Sequence, residues 1–287
     1  MDSLLNQTYE NIHVIIRDDG SDDSTVETIC EYTRKYSNKF SIIINDSECK
    51  SPTRNFFELL KYASADYVMF CDQDDVWLPE KVERSLETMM AEEKLYGRKV
   101  PHLVASGMAV VDENLRPIPG SKMCINPNRL KPNHLLVQNE IPGCTMMCNR
   151  ALYKNLGTPT LDAVLMHDWW IALFASMYGH ISVIPDQLIL YRQHSNNVVG
   201  AVNINGLHYA YKKLMDKKTK RSYEALWRQA EAFLIQYKGL GDDSVQAVLE
   251  RFCKMQQKNK IQKIYQTLRF RYTKSGFLRL IGQLYFV

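Results

Sequence analysis

Apolar and polar positions change period several times along this chain, and the changes mark its elements. Residues 12–17 (IHVIIR) form a short β-branched run closed by DDGSDDS, the pattern of a buried strand ending in a turn. Residues 25–36 carry apolar side chains at helical spacing, with Ser24 placed as an N-cap. A second strand is predicted at 40–45, a helix at 53–64, a third strand at 66–72 and a helix at 79–93 that begins on Pro79. Strand alternating with helix predicts an α/β protein with a mostly parallel sheet. Beyond it, 102–118 reads as two strands meeting at a turn, and a polar, Pro-containing stretch runs to about 140. A helix is expected at 167–179 and two short strands at 181–194. After about residue 205 the chain becomes rich in Lys, Gln and Tyr with helical periodicity.

Charge sharpens that division. Residues 205–287 hold 17 Lys and Arg against 6 Asp and Glu, a surplus of +11, whereas residues 1–204 hold 19 against 26, giving −7 and recovering the net +4. A basic tail on an acidic body points to an anionic partner surface. No run of about 18 apolar residues predicts a membrane-spanning helix, and MDSLLNQTYE does not read as a signal peptide. Seven cysteines, an odd number without CxxC spacing, argue against a disulfide framework or a zinc site, so a reducing, cytoplasmic setting is expected.

The chemistry concentrates where strands end. Asp18 and Asp19 follow the first predicted strand, and Asp72, Asp74 and Asp75 follow the third. Open parallel sheets bind ligands at that edge. Carboxylates so close raise one another's pKa unless a cation lies between them. An all-oxygen set suits Mg²⁺ or Mn²⁺, which completes its shell with phosphate oxygens and water. A solvated acidic turn, with Asp75 capping the next helix, is the alternative.

The motifs DDGSDDST, TRNFFELL, FCDQDDVWLPEKV, PGCTM, HDWW and LYRQH occur in that order. Together they resemble the family 2 glycosyltransferases of GT-A type, the inverting nucleotide-sugar-dependent class, and in particular its bacterial rhamnosyltransferase-like members. The resemblance covers about residues 1–200. It implies a GT-A nucleotide-diphospho-sugar transferase fold, Rossmann-like, over 1–204, with a basic helical C-terminal extension over 205–287.

The resemblance also implies roles. Asp19 matches the carboxylate that accepts the imide N–H of uracil or thymine, an acceptor-only group facing a donor; Asp18 is its neighbour. Arg54 matches a basic residue near base and diphosphate. Asp72 matches the ribose-side or metal-associated acid and Asp74 the direct metal ligand, with Asp75 structural. Asp168 matches the catalytic base. Trp169 and Trp170 fit either a sugar platform or a core face, and His167 fits a supporting group or an inert histidine. Arg192 and His194 match a late motif near the diphosphate, where the imidazole completes a metal shell and the guanidinium neutralises phosphate. Gly143 and Cys144 match an acceptor-side loop.

The implied donor is a dTDP- or UDP-sugar, with dTDP-rhamnose favoured by DQDDVW. The implied acceptor is a glycan or lipid-linked sugar in surface polysaccharide synthesis. The basic tail fits either peripheral contact with an anionic membrane or a packed appendage with a solvated face, and no recognition motif for nucleic acid accompanies it. The family usually opens with a strand, a turn and a helix ending in a sequence like SLLNQTY, and this chain starts within that helix. About 20 residues of the unit are therefore expected to be missing, leaving a neighbouring strand edge exposed. A late-assigned start, a truncated gene or a genuine variant would each account for it. Two other functions compete: a non-catalytic nucleotide-sugar-binding member, and a nucleotidyltransferase, which would need a Gly-rich basic loop.

Overall fold

The computed structural model describes residues 1–44, 51–119, 121, 124–193 and 217–287, with side chains from 223 onward in the last segment. A short helix α1 (Asp2–Leu5) leads into β1 (Val14–Arg17), α2 (Thr25–Lys35), β2 (Phe40–Ile43), α3 (Pro52–Leu60), β3 (Tyr67–Met69), β4 (Val76–Trp77) and α4 (Lys81–Tyr96). There follow β5 (His102–Val111), α5 (Pro132–Leu135), β6 (Met146–Asn149), α6 (Arg150–Asn155), α7 (His167–Tyr178) and β7 (His180–Arg192). Four helices close the chain: α8 (Lys217–Gln236), α9 (Asp243–Met255), α10 (Lys260–Arg269) and α11 (Phe277–Phe286).

The strands form two sheets. β1 and β2 pair in parallel, with Val14 opposite Phe40, and stand apart from a five-stranded sheet of order β3-β6-β5-β7-β4. The architecture is α/β as the alternation implies, but the ladders are mixed rather than mostly parallel. β5 and β7 run parallel, whereas β6 runs antiparallel to both β3 and β5, and β4 antiparallel to β7. The reason is connection length. Residues 70–75 are too few for the crossover of about a dozen residues that a parallel neighbour needs, so β4 leaves β3 and pairs with Leu190 and Ile189 of β7.

Two expected strand pairs become single long strands. The 102–118 segment is one ten-residue strand followed by a turn, and its return arm is reduced to a bridge between Val111 and Pro117. The 181–194 segment is one strand that passes through Pro185. Proline donates no ladder hydrogen bond, and the β5–β7 register slips on either side of Gly107. A Cβ at Gly107 would meet the carbonyls of Asp186 and Pro185 at 3.1 and 3.2 Å, so this glycine admits the close backbone approach.

Two apolar cores flank the large sheet. One joins Leu4, Phe40, Trp77, Val82, Met89 and Ile189. The other gathers α7 against the C-terminal helices: Trp170 and Phe174 pack with Phe233 and Tyr237, and Trp227 stacks on Phe252 at 4.4 Å. Burying each such side chain is worth about 2–3 kcal/mol. The indole of Trp170 donates to the Tyr237 hydroxyl at 2.9 Å, which donates to the Leu156 carbonyl at 2.7 Å. The C-terminal helices thus share the core that supports α7.

Candidate active site

A cleft of about 2340 Å³ runs between the two sheets and up to the first turn of α7. Asp19, Asp72, Asp74, Asp75 and Asp168 all line it. Asp18, Arg54 and Arg192 stand outside its lining, and His194 lies outside the described residues.

At the end of β1, Asp18 turns back on its own loop. It accepts from the amides of Gly20 and Ser21, each at 2.9 Å, and from the Ser21 hydroxyl at 2.5 Å. Partial burial opposes its ionisation, but those bonds win and hold it below the ordinary carboxylate range. Asp19 faces the cleft and accepts from the buried Arg17 guanidinium at 3.0 Å, which also donates to Asn55 of α3 at 2.7 Å. Sequence reasoning passed over Arg17 because it reads as the last residue of an apolar strand. A cation directly before DD was its signal. Arg54 instead pairs with Asp162 at the surface.

β3 ends on the second acidic group. Burial first, then the neighbouring Asp74, pushes Asp72 up to about 6. Burial pushes Asp75 up to about 7, although the Cys144 thiol and the Arg192 amide both donate to it. One ligand atom from each of Asp72, Asp75 and Cys144 falls within 4.8 Å of the others. The Asp75 Oδ2 atom is buried with no hydrogen-bond partner among the described residues. Cys144 is buried and held well above its usual thiol range, so it acts as a donor to Asp75 rather than as a thiolate. The remaining oxygen donors fit a hard divalent cation, and the orphaned oxygen is what such an ion would satisfy. Asp75 therefore sits within the carboxylate group while also bracing β7.

Two further cations hold this turn. The backbone amide of Arg192 donates to Asp75 Oδ1 at 3.2 Å, and its side chain donates to the carbonyls of Asp74 at 3.0 Å and Glu113 at 3.2 Å. Lys81, fully buried in the first turn of α4, lies 4.7 Å over the Trp77 ring, and its ammonium has no hydrogen-bond partner among the described residues. Burial pulls it down to about 8, against the attraction of the neighbouring Asp75 carboxylate. PEK reads as an ordinary helix start, so nothing local signalled a buried lysine.

Across the cleft, Asp168 occupies the first turn of α7. It accepts from the Gly143 amide at 3.0 Å and the Trp169 amide at 2.6 Å, with Asn139 as a further side-chain partner. Burial still outweighs these bonds and pushes it up to about 7, with the charge of Asp72 adding to the effect. That coupling places the two acidic groups in one electrostatic site. A carboxyl tuned near neutrality is suited to taking a proton. A Cβ on Gly143 would meet His167 Nε2 at 2.8 Å and Asp168 Cβ at 3.3 Å, so the PGCTM loop seats directly on these two residues. His167 is wedged against Phe56 and Phe70, with neither ring nitrogen bonded among the described residues, and burial drives it down to about 3. It is a neutral packing group. Trp170 is core, whereas Trp169 lines the cleft with its indole donating to the Leu135 carbonyl.

The model of the family described as Glycosyl transferase family 2 matches residues 1–156. The dTDP-rhamnosyl transferase RfbG of Shigella flexneri is 26% identical over 210 residues, 69% of this chain and 68% of that protein. An Escherichia coli enzyme, UDP-Glc:alpha-D-GlcNAc-diphosphoundecaprenol beta-1,3-glucosyltransferase WfaP, is 25% identical over 198 residues, 69% of this chain and 72% of its own length. Among solved structures, the mannosyltransferase PcManGT of Pyrobaculum calidifontis, in complex with GDP-Man and Mn²⁺, superposes with a TM-score of 0.52 at 15% identity, covering 99% of this chain and 72% of that one.

Proposed function

The chain belongs to glycosyl transferase family 2, and from that premise we propose that it transfers a sugar, rhamnose first among the candidates, from a dTDP- or UDP-linked donor to a hydroxyl of a glycan or lipid-diphosphate-linked acceptor. The observation that carries the reading is the convergence of Asp72, Asp74, Asp75 and Asp168 on one cleft, with Asp168 tuned to about 7. The acceptor oxygen attacks the anomeric carbon from the face opposite the diphosphate. The new C–O bond forms as the bond to the diphosphate oxygen breaks, and that electron pair leaves with the diphosphate. The acceptor proton passes to the Asp168 carboxylate. Asp19 accepts the imide N–H of the base, held in place by Arg17 and, through it, Asn55. Asp72, Asp74 and Asp75 would hold Mg²⁺ or Mn²⁺, which supplies charge neutralisation at the leaving diphosphate when bound. Arg192 and Lys81 keep their turn in position.

RfbG and WfaP, with dTDP-rhamnose and UDP-glucose in their names, support the two donor choices. WfaP's diphosphoundecaprenol acceptor supports a lipid-linked one. Calorimetric titration with UDP and dTDP, each with Mn²⁺ and with EDTA, tests the reading. Metal-dependent binding is expected, with affinity lost in Asp74→Asn. Absence of binding to either nucleotide in Mn²⁺ would sink the mechanism.

A further inference from the structure

The last two helices leave apolar side chains uncovered on regular faces. On α10, Ile261, Tyr265 and Leu268 recur at i, i+4 and i+7 and are 80%, 61% and 49% exposed. On α11, Phe277, Ile281 and Tyr285 recur every four residues at 75%, 43% and 57%. The two helices touch where the Lys260 ammonium lies 4.9 Å over the Tyr285 ring. Opposite faces of the same helices are anchored: Thr267 and Gln283 are buried, and Gln283 bonds the Tyr272 carbonyl and the Lys274 amide. Residues 256–287 contain seven Lys and Arg and no Asp or Glu.

We propose that the α10–α11 face docks this enzyme on an anionic lipid bilayer, lying in the interface rather than crossing it. Phe, Tyr, Ile and Leu in a row, flanked by cations alone, match the apolar boundary and negative headgroups of such a surface. A second copy of the chain is disfavoured on this face, because pairing it with itself would oppose two apolar surfaces whose flanking charges are all positive. No helix among the described residues is long and apolar enough to cross a membrane, so docking is the mode this surface offers. The position matters for the reaction. Ser275 and Arg279, on either side of Phe277 in sequence, line the same cleft as Asp168, so a docked α11 would hold that cleft beside the bilayer. The inference stands on the C-terminal surface and does not depend on the donor or metal assignments.

The test is flotation of the full chain with vesicles of phosphatidylcholine alone and with added phosphatidylglycerol, at about 0.1 M salt. Binding is expected only to the anionic vesicles. Each cation near the surface is worth about fivefold in partitioning, so Lys260→Gln/Arg269→Gln should weaken it roughly 25-fold. Phe277→Ser/Ile281→Ser should abolish it while leaving thermal unfolding and UDP or dTDP affinity unchanged. No flotation with anionic vesicles overturns the proposal. So does binding that ignores the Phe277/Ile281 variant, since that is charge adsorption without docking, and so does a lipid-free dimer dispersed by that variant. Nucleotide titration of the same preparations keeps this outcome separate from the fate of the transfer reaction.

Discussion

Asp168→Asn removes one charge and changes almost no volume, which makes it the sharpest perturbation of the site. The carboxyl accepts from the Gly143 and Trp169 amides at 3.0 and 2.6 Å. An asparagine retains one of these bonds and turns its amide N–H₂ toward the other donor, a loss of about 1–3 kcal/mol. Against this, the native acid is pushed from 3.8 to about 7. Holding it ionised above that pH costs at most about 4 kcal/mol, and the variant is free of that cost. The two effects offset, so the melting temperature should shift by no more than a few degrees at pH 8. Activity should behave differently. Losing a positioned general base lowers kcat by about 10²–10⁴, while UDP or dTDP affinity, set on the other wall of the cleft, stays within about twofold. The assay is steady-state release of the nucleoside diphosphate from pH 5 to 9. In the wild type kcat/KM should climb about tenfold per pH unit and level off above about 7, as the raised acid loses its proton. The variant should be low and flat. A variant that keeps kcat within tenfold, or that retains the wild-type pH limb, would refute Asp168 as the proton acceptor.

Two further substitutions probe the surrounding frame. Gly143→Ala places a methyl 2.8 Å from His167 Nε2 and 3.3 Å from Asp168 Cβ, and a displacement of this kind should lower kcat by about 10–100-fold with donor KM little changed; an unchanged kcat would mean that the PGCTM loop does not position the base. Asp75→Asn addresses stability. The folded acid, pushed to about 7 against 3.8 unfolded, contributes stability that is full below about pH 4 and lost as pH rises through 7. In metal-free buffer the variant should therefore show a shallower fall of melting temperature from pH 5 to 8 and gain at most about 4 kcal/mol at pH 8. An unaltered slope by scanning fluorimetry would show that the Asp75 charge is compensated.

The acidic clusters were legible because a strand of apolar residues ending in several carboxylates has few structural explanations, whereas Asp168 came only through the resemblance of HDWW to the family's motif. What the sequence concealed was partnership. Arg17 looks like the last residue of a strand and Lys81 like a helix-surface cation, yet both are buried; Arg17 pairs locally with Asp19, but only tertiary packing brings it to Asn55 and covers Lys81 near Asp75. Arg54 matches, through the resemblance, a basic residue near base and diphosphate, and from α3 it pairs with Asp162, a partner its own sequence neighbourhood does not announce. The strand count failed for a related reason. Pro185 and the polar turn after Val111 look like breaks in sequence, whereas the bulge at Gly107 lets β5 and β7 run on. Helical periodicity in the tail was plain, but nothing in it announced that Trp227, Phe233 and Tyr237 would complete the core behind Trp170.

The separation of β1 and β2 from the larger sheet gives the molecule two units of unequal cooperativity. Among the described residues no ladder bond joins the pair to β3. Phe40 still shares the apolar core with Trp77, Met89 and Ile189, but the polar ties to the rest are few: the Thr8 amide to the Pro79 carbonyl at 2.9 Å, the Gln7 side chain to Leu78 and Val82, and Arg17 to Asn55. Such a unit is expected to open at a lower free energy than the β5-centred core, its amides exchanging with solvent by partial unfolding while those of β5 wait for global unfolding. Asp19 rides on the first unit and Asp168 on the second. A nucleotide bridging them would be the cross-link that makes the two halves melt as one, and part of its binding free energy is spent in that coupling.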